Sequence, residues 1–134
     1  MKHLSKTKYF LLFIITFFPL SSFSGELKSA YKHSQTVSVS AYNSLASQTK
    51  KGDPALAAWG DALKPGMKVI AVSRDLLKKG LTHNKEVKIE GLKGTYRVMD
   101  KMNKRWKNKI DVYMGVDVKA ARKWGKQTRK IYWN

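Results

Sequence analysis

Cysteine is absent from the 134-residue chain, and acids are scarce: nine Asp+Glu and three His stand against 27 Lys+Arg. Without cysteine no disulfide can staple the fold, and lipid attachment through an N-terminal cysteine is excluded. His33 and His83 lie in polar stretches, with no His-x-x-x-His pair and no helix carrying paired carboxylates. No metal site is therefore expected, and no cofactor. No G-x-S-x-G, P-loop or G-x-G-x-x-G segment occurs, which removes the usual frames for a nucleophilic serine or a bound nucleotide. Long apolar runs are lacking too. The longest, Tyr9 to Leu20, spans about a dozen residues against the roughly 20 needed to cross a bilayer.

That run has a different use. Lys2, Lys6 and Lys8 precede it, Pro19 breaks it, and Ser22-Phe23-Ser24 before Gly25 is a small-x-small cleavage site. Residues 1–24 are read as an export signal. Residues 25–35 (GELKSAYKHSQ) follow as a polar, basic tether, and residues 36–134 as one domain, large enough for one modest core. Three of the basic residues and none of the acids fall in the leader, which leaves 24 cations against nine acids, a net charge of about +15. Such a field favours polyanions. Export argues against nucleic acid and for an anionic envelope polymer, with peptidoglycan and its peptide and lactyl carboxylates first, then acidic lipid headgroups, lipopolysaccharide or teichoic acid. The expected location is the periplasm, the outer-membrane surface or the exterior. Composition does not speak to oligomeric state, and a merely soluble, charged surface is the plain alternative.

Patterning past the tether is that of short strands. Thr36 to Tyr42 alternates Val37, Val39 and Ala41 with Ser38 and Ser40. A long connection, Asn43 to Lys64, has room for a helical turn around Ala55-Leu56-Ala57. It also carries Trp59, either a sugar-facing aromatic or an anchor to the core. Pro65-Gly66 predicts a type II turn into the strand Met67 to Ser73, and Arg74 to Gly80 reads as one or two helical turns. Lys85 to Glu90 and Thr95 to Met99 form a hairpin through Gly91-Leu92-Lys93-Gly94. Asp117 caps a helix over Val118 to Trp124, which Gly125 ends and Trp124 ties to the core; Arg129 to Trp133 is the closing strand. About six strands and one late helix predict an all-β barrel.

Two acids interrupt apolar segments. Asp100 closes Tyr96 to Asp100, and Asp111 lies between Ile110 and Val112. A carboxylate crowded by apolar neighbours loses hydration, so it needs a partner or a task. Simple alternation puts Asp100 on the face of Tyr96 and Val98, and Asp111 with Tyr113 opposite Ile110 and Val112. Either the acids serve chemistry in one cleft, or they pair with lysine or arginine and close the barrel.

The segments Ile70 to Ser73 (IAVS), Val98 to Asp100 (VMD) and Ile110 to Gly115 (IDVYMG), with the eleven-residue step between the aspartates, resemble the three-aspartate (3D) domain. The likeness runs from about Val37 to Tyr132. It implies a six-stranded double-psi β-barrel, similar to the catalytic core of the membrane-bound lytic transglycosylase A family. Two aspartates match; Ser73 stands where that family has its first, and Lys101 to Trp106 replaces a Gly-Gly loop. The resemblance implies Asp111 as catalytic acid with Asp100 assisting, on the bond between N-acetylmuramic acid and N-acetylglucosamine. Trp106, Tyr113, Lys101 and Trp59 are the expected substrate contacts. A non-catalytic glycan-binding module, or an exported effector against a competitor's wall or lipids, are the alternatives.

Overall fold

In the computed structural model, which describes residues 21–44 and 56–134, six strands hydrogen-bond in a closed ring. The elements are α1 (Ser21–Ala30), β1 (His33–Tyr42), β2 (Val69–Val72), α2 (Arg74–Leu77), β3 (Glu86–Ile89), β4 (Tyr96–Lys101), β5 (Lys109–Tyr113), α3 (Val118–Trp124) and β6 (Gln127–Trp133). Round the ring the order is β1-β5-β2-β4-β3-β6, and β6 pairs back onto β1. β1 with β5 and β2 with β4 are parallel; the other four pairings are antiparallel. The chain is thus mostly β with short helices, as expected.

Alternating side chains fill the inside. Val37 and Val39 of β1, Ile70 and Val72 of β2, Val87 and Ile89 of β3, Val98 of β4, Ile110 and Val112 of β5, and Ile131 and Trp133 of β6 make one core with Leu76 and Leu81. Burying each such aliphatic side chain stabilises the fold by roughly 1.5–3 kcal/mol. All four residues of β2 are buried because its other face is covered as well. There Val69 joins Ala57, Leu63 and Tyr113 in a second, outer cluster.

Residues 1–20 of the expected leader lie outside the described residues, as do 45–55 of the long connection. Among the described residues no helix is long and apolar enough to cross a membrane. Residues 25–30, read as tether, lie in α1, and β1 starts at His33, three residues early. The early start has a cause: His33 pairs with Trp133 and stacks on its ring at 5.5 Å, so β6 draws the chain into the sheet. Of the expected turn at Ala55-Leu56-Ala57, Ala55 lies outside the described residues; Leu56 makes a bridge to Ala62 instead, which drops Ala57 and Leu63 into the outer cluster. The Lys64–Met67 turn closes as expected, with Met67 N–H donating to Lys64 O and Gly66 at φ +90°. Asp117 caps α3 by accepting from the Ala120 N–H at 2.9 Å. Trp124, placed in the core by its spacing, is only half-buried: α3 buries no residue fully.

Candidate functional site

Strands β1, β5, β2 and β4 lie side by side, and their registers align one row: Ser40 opposite Asp111, Asp111 opposite Ala71, Ala71 opposite Asp100. The two aspartates flank a single alanine. Their Cα atoms are therefore about 10 Å apart, two strand spacings. Ile70 and Val72 face the core, so Ala71 and the acids in register with it face outward. Simple alternation put Asp100 on the inward face with Val98, and this is corrected by a β-bulge. Val98 pairs with Ile70 but Asp100 pairs with Ala71, so Met99 is the extra residue and Asp100 turns to the outer face.

Each acid accepts at least one close hydrogen bond. The Ser40 hydroxyl donates to Asp111 Oδ1 at 2.7 Å. The Lys109 ammonium approaches the same oxygen at 3.8 Å, beyond hydrogen-bond length, with 15% of its side chain and 20% of that of Asp111 exposed. Asp100 Oδ1 accepts the N–H groups of Ala58 and Lys101, both at 2.9 Å. The first of these contacts ties the end of the long connection to the site.

Tyr42, at the end of β1, lies against both acids. Its buried hydroxyl has no partner of ordinary hydrogen-bond geometry among the described residues. Burial, then the charges of Asp100 and Asp111, then Tyr113 and the contact with Asp100, push its phenol far above the ordinary tyrosine range. Asp100 is the acid that acts most strongly on the phenol. The phenol therefore stays a neutral O–H beside the two aspartates at physiological pH.

The four expected substrate contacts divide. Trp106 is 38% exposed, at the turn before β5, with Lys109 over its ring at 4.0 Å and Arg105 at 4.9 Å. Lys101 lies near Asp100 through its backbone, while its ammonium sits over Trp59 at 5.4 Å. Trp59 proves to be an anchor: half-buried on the core, it stacks on His83 at 4.8 Å, and His83 bonds Asp61 at 2.6 Å. Tyr113 lies deeper than the other three. It is 5% exposed, beneath the outer cluster, tilted against Tyr42 at 5.5 Å and bonded to Ser44 at 3.0 Å, so it forms the wall behind the acids.

A supporting set was not foreseen. Ser73, fully buried, accepts from the Lys109 N–H at 3.0 Å, and its own N–H donates to Lys109 O at 2.9 Å. Asp75 accepts from the Asn108 N–H at 3.0 Å, and Asn108 holds the left-handed φ of +47° that turns the chain into β5. Burial works against ionisation of Asp75. The Ser73 hydroxyl, the N–H groups of Asn108 and Asp75, and the Lys107 charge outweigh it and lower its carboxyl below the usual range. Ser73 and Asp75 together secure the entry to the Asp111 strand. The one signal in the sequence was Ser73-x-Asp75 at the end of an apolar strand.

A cavity of about 420 Å³ opens elsewhere, among Tyr31, His83, Lys85, Glu86 and Asn134. None of the row residues lines it, and the paired acids remain the better chemical candidate. Among the described residues no group of three or more histidines or acids is placed to hold a metal. Comparison with models of known protein families and with curated proteins finds no match in either.

Proposed function

We propose that this chain is an exported enzyme of the 3D type, a double-psi barrel that cleaves the glycan strands of peptidoglycan in the cell envelope. The observation that supports it most is the Ser40–Asp111–Ala71–Asp100 row, with both acids on one outward face beside a neutral phenol. Two parallel pairings within a six-stranded ring are what a double-psi path requires, and they support that finer reading of the fold.

In this reading the protonated Asp111 carboxyl gives its proton to the glycosidic oxygen between N-acetylmuramic acid and N-acetylglucosamine, and the C1–O bond breaks. The resulting carboxylate takes the proton of the muramic 6-hydroxyl, whose oxygen closes on C1 to give a 1,6-anhydro sugar. No water is consumed, and one carboxyl suffices because the substrate carries its own nucleophile. Asp100 steadies positive charge at C1 from two strands away. Hydrolysis is the variant in which Asp100 activates a water instead.

Digestion of purified peptidoglycan tests this. Anhydro-muropeptides that disappear with Asp111→Asn support it, and no soluble product from the wild-type protein overturns it. A second reading, a non-catalytic module for an anionic envelope glycan, draws on the cations around exposed Trp106. It expects co-sedimentation with the polymer, unchanged by Asp111→Asn and weakened by salt.

A further inference from the structure

The Lys101–Lys109 segment holds many cations, and one differs from the rest. Lys104, Arg105 and Lys107 are exposed, where salt screens them. Lys109 is largely covered, stands two residues before Asp111 on the same strand face, and has the Trp106 ring 4.0 Å from its ammonium. Its backbone is fixed on both sides by Ser73. Its ammonium rests on Trp106 without a direct charge-assisted bond: at 3.8 Å from Asp111 it is about an ångström too far, and the short position on that oxygen belongs to Ser40 at 2.7 Å. A desolvated cation on a rigid strand, loosely paired and next to an aromatic face, fits an incoming anion carried on a ring.

We propose that Lys109, with Trp106 as the stacking surface beside it, is the specificity-determining residue of the acid row, reading a carboxylate on the sugar next to the bond that is cut. This rests on the glycan-cleavage reading of the same site. The chemical class is a pyranose bearing a free acidic ether, as muramic acid is where its lactyl carboxyl carries no stem peptide. The ammonium exchanges its contacts with Asp111 and with the Trp106 ring for a direct bond to the substrate carboxylate, and the sugar ring takes its place on Trp106. Exposed lysines attract any polyanion; a covered one discriminates by position.

The test is a calorimetric titration of the full chain with the N-acetylglucosaminyl–N-acetylmuramic acid disaccharide and with its lactyl methyl ester, in 0.3 M salt. The wild-type protein should prefer the free acid by roughly ten- to a hundredfold, the range of one charge-assisted hydrogen bond. Lys109→Met should bind both sugars as the wild type binds the ester, and Lys109→Arg should restore the preference. Equal affinity of the wild type for acid and ester overturns the proposal without any variant. So does a preference that survives in Lys109→Met, or no binding of either sugar. Cleavage is scored separately on peptidoglycan. A preference without anhydro products removes the catalytic reading and keeps this one; cleavage without a preference does the reverse.

Discussion

Replacing Asp75 by alanine removes the acceptor that holds the Asn108 N–H at 3.0 Å and leaves the Ser73 hydroxyl without its carboxylate neighbour. A hydrogen bond to a charged group contributes about 1.5–3 kcal/mol, and a half-exposed position takes the lower end. The expected loss at pH 7 is about 1–2 kcal/mol, or roughly 5–10 °C in Tm for a domain of this size. Asp75 has its carboxyl lowered on folding, so its contribution is complete above the ordinary aspartate value near pH 4 and fades as pH falls through the lower folded value. Urea unfolding of wild type and Asp75→Ala at pH 7, 5 and 2.5 should therefore show a gap that is constant between the first two and narrows at the third. Asp75→Asn keeps an acceptor for Asn108 without the charge and should lose less at pH 7; its gap too should narrow at pH 2.5, because only the wild type carries the titrating group. A gap as wide at pH 2.5 as at pH 7, or one below about 0.5 kcal/mol at pH 7, would refute the role given to this carboxylate.

Two further outcomes follow from the same geometry. Tyr42→Phe removes a buried hydroxyl without a well-formed partner, so stability should change by less than about 1 kcal/mol in either direction, measured by urea unfolding. A loss above 2 kcal/mol would mean that the phenol is fully bonded to the acids. Gly115→Ala places a Cβ 3.1 Å from the Pro65 backbone at φ +58°, and should cost about 2 kcal/mol in thermal unfolding, whereas a neutral result would show that the Pro65 turn yields.

Much of the fold was legible because two-residue alternation and turn chemistry are local. Val37 and Val39, Val87 and Ile89, and Ile131 with Trp133 all face the core as their spacing implies, and Asp117 and the Pro65-Gly66 turn do what such residues do elsewhere. The pairing of Asp100 with Asp111 across Ala71 was not legible from spacing, because a bulge at Met99 reverses the face and no composition rule marks it. The depth of Tyr113 was not legible for a related reason: its outward face is roofed by Ala57 and Leu63, which come from a connection whose sequence looks like loop. The Asp75–Asn108 bond joins residues 33 apart, and only the closed ring brings them together.

The strand that enters the ring first in the chain is the one whose neighbours come last. β1 meets residues 109–113 along one edge and 127–133 along the other. During synthesis those two edges stay bare until residues 109–113 and 127–133 have been made, so closure cannot begin from β1 and proceed stepwise. Loop entropy must be met before the sheet gains from it, which places folding in the millisecond-to-second range and leaves the alternating TVSVSA segment unpaired until late.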